Sequence, residues 1–351
     1  MNEVELPPLQ SGPAAWRGPD IAARDDWIVQ LSKKQIAELE AAMRTVSARN
    51  LDIAQLARND FPLPSLGGQL NSLLRELLHG RGFVLVRGLP IECYSRREAA
   101  TIFMGIGAHL GRARSQNAKG HVLGHVCDLG LSSADPNVRI YQTHERQTFH
   151  TDSCDVVGLL CLREAKNGGD SLLVSALTIF NELRAARPDL LARLLSPMAY
   201  DRRGEVPAGQ LPFFVIPVFS WYRNVLTVFY QRQYFESAQR FSEVPPLTEV
   251  DIKALDLFDT LANNPRLNLT MRLAPGDMQF VHNHTLLHDR TAFEDWPEPA
   301  RKRHLLRLWL ACSGARELPP AFAARYGSLT IGDRGGIVVP GTRLNAPLDL
   351  T

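Results

Sequence analysis

A mainly β fold with helices packed outside its sheets is predicted by three features of the 351-residue sequence. Short runs rich in Val, Leu and Phe recur through the middle of the chain. Gly, Pro or Asn usually separates them. The helical stretches between them lack the regular strand–helix alternation that a doubly wound parallel sheet needs. Together these features point to an antiparallel barrel or sandwich.

The elements follow in order. The first 20 residues are Pro- and Gly-rich and read as an extended arm. From Ser32 to Asn50 the apolar residues Ile36, Leu39, Ala42, Met43 and Val46 fall near helical spacing, with Ser32 as N-cap. A second helix, Leu66 to His79, meets Gly80, which suits a left-handed C-cap. The run Gly82 to Pro90 is apolar, Val-rich and bounded by glycine, the pattern of a buried strand. Further strands are predicted at Val156 to Leu162, Ser171 to Val174, Phe213 to Phe219, Val225 to Tyr230, Asn268 to Leu273, Gln279 to Val281 and Leu305 to Ala311. Helices are predicted at Arg96 to His109, Ala176 to Leu195 and Thr248 to Asn263, the last opening with a capping-box pair, Thr248 and Asp251. The chain thus divides into an arm with helices (1–80), a core (81–315) and a C-terminal extension (316–351), within one structural domain.

Composition excludes several classes of function. Lys and Arg number 39 against 37 Asp and Glu, a net charge of +2, so neither nucleic acid nor an anionic membrane surface is an expected partner. No apolar stretch approaches 18 residues and no signal-peptide pattern opens the chain. The five cysteines are scattered, odd in number and without a C-x-x-C pair, as expected of free thiols. A cytoplasmic, reducing location is the expectation.

The chemistry concentrates in two stretches. In QTFHTDSCDVVGLL, His150 and Asp152 stand two apart, and on extended backbone such residues point the same way. A third metal ligand must come from elsewhere, and GDMQFVHNHTLLHDRTAFEDW offers His282, His284 and His288. Two histidines and a carboxylate form the facial triad of non-haem Fe(II) oxygenases, which leaves coordination positions open. An isolated H-x-D pair arises often by chance. Here, though, Arg303 and Arg307 follow, four apart on one face of an apolar strand. A buried guanidinium must meet an anion, and its planar fork suits a carboxylate.

FHTD at Phe149 to Asp152, GGDS at Gly168 to Ser171, the HxRTAFED pattern from His288 to Asp295, and the Arg-rich strand occur together in this order. The sequence resembles the TauD/TfdA family of Fe(II)- and 2-oxoglutarate-dependent dioxygenases, in the clavaminate synthase-like group, over roughly Gly82 to Ala311. The resemblance implies a double-stranded β-helix (jelly-roll) core, with His150, Asp152 and His288 as iron ligands. It implies that Arg303, 15 residues after His288, binds the far carboxylate of 2-oxoglutarate. Arg307 matches the family's second arginine, and Ser171 retains the hydroxyl that follows Gly-Gly-Asp in the family. The implied reaction uses O2, oxidises and by default hydroxylates a C–H bond of a small molecule, and releases succinate and CO2. Asp152 disfavours halogenation, because halogenating relatives replace this carboxylate. The resemblance also admits a homo-oligomer.

Other candidates stand beside this set. Arg146, four residues ahead of His150, is a candidate for an anionic or amino-acid-like substrate, with a solvated loop arginine as the equal alternative. Gln116 and Asn117, with His121 and His125, are placed in a loop lining the substrate pocket. His282 and His284 are read as pocket-wall residues near the metal; with His288 they also make an H-x-H-x3-H zinc-type spacing. GIGAHLG fails dinucleotide-loop spacing and falls in a helix. The alternatives to the oxygenase are a non-catalytic metal-binding sensor on the same barrel, zinc-assisted hydrolysis, and a desaturase or cyclase variant.

Overall fold

The computed structural model describes residues 6–132, 138–207 and 209–349. Two sheets lie face to face. The larger runs Ile28–Gln30, Phe83–Arg87, Met278–His282, Val156–Arg163, His304–Ala311 and Arg112–Ala113, with Leu123–Val126 also paired to His304–Ala311. The smaller runs Asn268–Met271, Ser171–Ser175, Leu286–Arg290 and Gln147–His150, all antiparallel.

The apolar runs are continuous because both faces of these strands are covered. Phe83, Leu85, Val157, Leu305 and Trp309 meet Leu173, Met271 and Leu286 between the sheets. The alternate residues Val84, Val86, Leu306, Leu308 and Leu310 pack outward on the helices Lys33–Ala48, Leu66–His79 and Arg96–Leu110. On the far side, Phe149, Val174 and Leu287 pack on the helices Ala176–Ala186 and Glu249–Ala262. The parity that sends Leu306 and Leu308 to the helices sends Arg307 inward with Leu305 and Trp309. Ser171, Gln279 and His288 share the inward parity of Leu173, Val281 and Leu286.

Several sequence expectations change. Of the proposed arm, residues 1–5 lie outside the described residues, while Gly18–Ala22 is a short helix and Trp16 is buried, its Nε1 donating to the Arg81 carbonyl at 2.9 Å. Gly80 ends its helix at φ −99°, not in the left-handed region. A Cβ there would lie 2.4 Å from the Glu76 carboxylate, which accepts from Arg81 N at 3.0 Å and Nε at 2.8 Å and would have to shift to admit a side chain. The helix expected over Ala176 to Leu195 is two, Ala176–Ala186 and Pro188–Leu194. Pro188 forces Arg187 out of the helical region, to φ −147°, and opens the second. The strand expected over 213 to 219 changes partner at Val218, splitting into Phe213–Pro217 and Phe219–Tyr222. The expected loop around His121 and His125 is largely the Leu123–Val126 strand. All of GIGAHLG but its last glycine, the C-cap Gly111, lies within the Arg96–Leu110 helix. Among the described residues no helix is long and apolar enough to cross a membrane.

Candidate active site

The three predicted ligands converge. His150 ends its strand and is the register partner of His288 across the antiparallel pair. The register shifts between this pair and Arg290/Gln147, a bulge beside the site, and Phe149, next to His150, faces the outer core. Asp152 follows two residues later, outside the strand. One ligand atom from each of His150, Asp152 and His288 lies within 4.8 Å of the others, all three residues being buried. The two imidazole centroids are 4.1 Å apart, and His288 Nε2 is 3.7 Å from Asp152 Oδ2.

Surrounding groups hold this arrangement. His150 Nδ1 is 2.8 Å from the Thr148 carbonyl, which leaves Nε2 for a metal. Gln147 Nε2 is 2.9 Å from that atom. Asp152 accepts at Oδ2 from Trp309 Nε1 at 2.8 Å, and its backbone N donates to Asn283 Oδ1 at 2.9 Å. Burial, with His288 nearby, lowers the pKa of His150 to about 3, so it is a neutral imidazole. Burial alone would raise Asp152, but Arg307 and His288 hold it well below the usual carboxylate range. Neutral imidazole and ionised carboxylate are the states a metal requires.

Behind the triad, between the sheets, a cavity is lined by His150, His288, Ser171, Arg290, Arg303 and Arg307. Arg303 immediately precedes its strand, is buried, and leaves Nη1 without a partner. Its Nη2 donates weakly to the Gly169 carbonyl at 3.4 Å, and its guanidinium lies 5.1 Å from the centre of the Phe293 ring. Gly169 has φ +76°, and a Cβ there would sit 2.8 Å from Arg303 Nε. The two sequence motifs are one structure: Gly168 pairs with Phe293, Asp170 and Thr291 exchange hydrogen bonds, and Asp295 accepts from Arg303 N at 2.7 Å. Ser171 lines the cavity and donates to Gln279 Oε1 at 3.0 Å. Arg307 faces both this cavity and a second one over Asp152, with Nε donating to Gln116 Oε1 at 2.7 Å and Nη1 3.9 Å from Asp152 Oδ2.

The remaining candidates separate. Arg146 is committed to buried Asp289, Nη2 to Oδ2 at 2.7 Å, and to Asn263, and it lines neither cavity at the triad. Gln116 is in the second cavity, whereas Asn117 lies in a neighbouring one and meets His121 at 3.2 Å. His125 is paired with His304 at 2.8 Å. His282 and His284 do not join the ligand cluster: His282 is 3.0 Å from Thr285 Oγ1, and His284 Nε2 is 3.0 Å from Asp155 Oδ1. Sequence reasoning missed Trp309, Arg290, Gln147 and Asn283. The first was within reach, two residues beyond Arg307 on the same face.

The donor set therefore fits Fe(II), and the orphaned Arg303 Nη1 fits the carboxylate of a dicarboxylate co-substrate. Two imidazoles and one carboxylate with open space beside them define a non-haem iron oxygenase centre. The family model for "Taurine catabolism dioxygenase TauD, TfdA family" matches residues 48–309, and the chain belongs to this family. An FR-33289 synthase from Streptomyces rubellomurinus is 32% identical over 334 residues, 93% of this chain and 97% of that protein. A uridine-5′-phosphate dioxygenase from a Streptomyces species is 30% identical over 275 residues, 72% of this chain and 96% of that protein. Among solved structures, asparagine oxygenase in complex with Fe(II), 2S,3S-3-hydroxyasparagine and succinate shares the fold, with TM-score 0.63 and 18% identity over 81% of this chain and 93% of that one. The protein is an Fe(II)- and 2-oxoglutarate-dependent dioxygenase.

Proposed function

We propose that this dioxygenase hydroxylates a C–H bond of a small anionic molecule, with His150, Asp152 and His288 as the iron ligands and Arg303 as the anchor of 2-oxoglutarate. The observation that carries the reading is Arg303 Nη1, buried without a partner in a cavity that opens on the triad. When bound, the iron and 2-oxoglutarate supply the oxidising chemistry: substrate, 2-oxoglutarate and O2 give hydroxylated substrate, succinate and CO2. The protein's own residues do the positioning. Trp309 and Asn283 hold Asp152, Thr148 fixes the His150 ring, and the Phe293 ring with Gly169 keeps Arg303 in place. Gln116 holds Arg307 at the junction of the two cavities, and Arg290 with Ser171, itself held by Gln279, completes the polar wall around the co-substrate. Apolar Val126, Val157 and Leu305 exclude water from it.

The two facing sheets support a double-stranded β-helix core, in one structural domain with the arm and helices before residue 81 and the extension after 315. The unpaired cysteines support a reducing, cytoplasmic setting. An anionic substrate is supported by the arginines of the second cavity and by the phosphate in the name of one relative's substrate. The test is anaerobic addition of Fe(II) and then 2-oxoglutarate. A visible charge-transfer band that disappears in Asp152→Ala is the expected result, and no band in the native protein overturns the reading.

A further inference from the structure

The cavity over Asp152 carries more positive charge than its own acids neutralise. Its charged lining is Arg139, Arg203, Arg307 and Arg325 against Glu205 and Asp152. Glu205 is taken by Arg139, at 2.7 Å, and Arg139 also donates to the Tyr234 hydroxyl at 2.8 Å. Arg307 is held by Gln116 and stands nearest Asp152. Arg203 and Arg325 remain, and neither has a carboxylate within ion-pair distance among the described residues. Arg203 Nε is buried without a partner, and its Nη2 reaches only the Val138 carbonyl at 3.4 Å.

Arg325 is the better placed of the two. Its Nε donates to Ser153 Oγ at 2.7 Å, which fixes the guanidinium one residue from Asp152, and among the described residues neither Nη1 nor Nη2 makes a hydrogen bond. The helix that carries it, Ala323–Tyr326, is pinned by Arg202, whose Nη2 donates to the Ala324 carbonyl at 2.6 Å. Both guanidiniums lie on the Phe214 ring, 5.3 and 5.5 Å from its centre. The next stretch straps across the same turn: Gly336 N donates to the Ser153 carbonyl at 2.7 Å, Ile337 N to the Ser115 carbonyl at 2.8 Å, and Arg334 closes on Asp155. Arg203 and Arg325 both line this cavity, half-buried and without a carboxylate partner among the described residues, and an anion arriving with the ligand would supply the missing counter-charge.

We infer that Arg325, with Arg203, forms an oxyanion subsite that binds the phosphoryl or phosphonyl group of the substrate. The inference rests on the oxygenase reading above and names the chemistry its substrate presents. Two guanidinium forks match the charge and the several acceptor oxygens of a dianionic tetrahedral group better than a single carboxylate does. Phosphate esters and phosphonates share this chemistry.

The experiment titrates the anaerobic complex with Fe(II) and 2-oxoglutarate using methyl phosphate, methylphosphonate and acetate, read by tryptophan emission, since Trp309 lines the cavity. One of the two phosphorus probes is expected to bind at least about tenfold more tightly than acetate, and the tighter one identifies ester or phosphonate. Arg325→Gln is expected to weaken it at least about tenfold, with Arg325→Lys recovering part of the loss and 2-oxoglutarate affinity unchanged. Arg203→Gln provides the same test should Arg325→Gln not fold. Acetate binding as tightly as the phosphorus probes, or undiminished phosphoryl binding in Arg325→Gln or Arg203→Gln, overturns the subsite. Absence of the visible band in the native complex would instead overturn the oxygenase reading beneath it.

Discussion

The two walls of the active site are built by different means. The wall behind the triad, around Arg303, comes from strands of the two facing sheets and from the paired GGDS and HxRTAFED segments, all within the stretch that matches the family. The wall over Asp152 shares Gln147, His150, Arg307 and Trp309 with those strands, but the rest of it comes from loops and short helices, including the one bearing Arg325, and from the strap through Ile337, these last two beyond residue 309. A strand ladder fixes side-chain direction by parity, whereas a loop must be fastened by individual bonds. The co-substrate wall therefore suits a constant ligand. On the proposed function, the segments of the opposite wall beyond residue 309 are where substrate contacts can change without altering the strand ladder.

This contrast can be broken or sharpened. The largest effect is expected from Arg334→Met, which leaves Asp155 buried without its guanidinium. The loss should be about 3–5 kcal/mol in urea unfolding, with 2-oxoglutarate affinity of the folded fraction unchanged. Loss of 2-oxoglutarate binding in that folded fraction would show that the walls are not separable. Next, Arg303→Gln should raise the 2-oxoglutarate requirement on the order of 10²-fold, measured by titrating the visible band; unchanged affinity moves the co-substrate role to Arg307. Trp309→Phe removes one donor from Asp152 and should weaken Fe(II) binding by about tenfold, read in a competition titration with a chelator. The smallest effect is expected from Arg146→Ala: about 1 kcal/mol of stability through Asp289, and no change in substrate KM. A raised KM would bring Arg146 back to the substrate.

The same contrast explains what was legible in the sequence. FHTD and the arginine-bearing run are local strings, so His150, Asp152, Arg303 and Arg307 could be picked out before any contact was known, although Asp152 lies just past its strand and Arg303 just before its own. The Leu286–Arg290 strand was not predicted, since three of its five residues are His, Asp and Arg and all five are buried. Hydropathy reports composition, not the cavity and partners that permit polar residues inside. The partner of Arg146 could not be read locally, because Asp289 is 143 residues away. Arg325 and Arg334 carry no local pattern at all. Their positions depend on Ser153 and Asp155 across the fold, and only packing brings those together.

One feature of the ladder reaches past catalysis. His150 and His288 are register partners in an antiparallel pair, so a slip of one residue in Gln147–His150 would send His150 to the outer, helix-covered face. A chain folded out of register would lack one of the three ligands and could not hold the ion in this arrangement. With these three as the iron ligands, metal content after refolding would report the fraction of chains in native register.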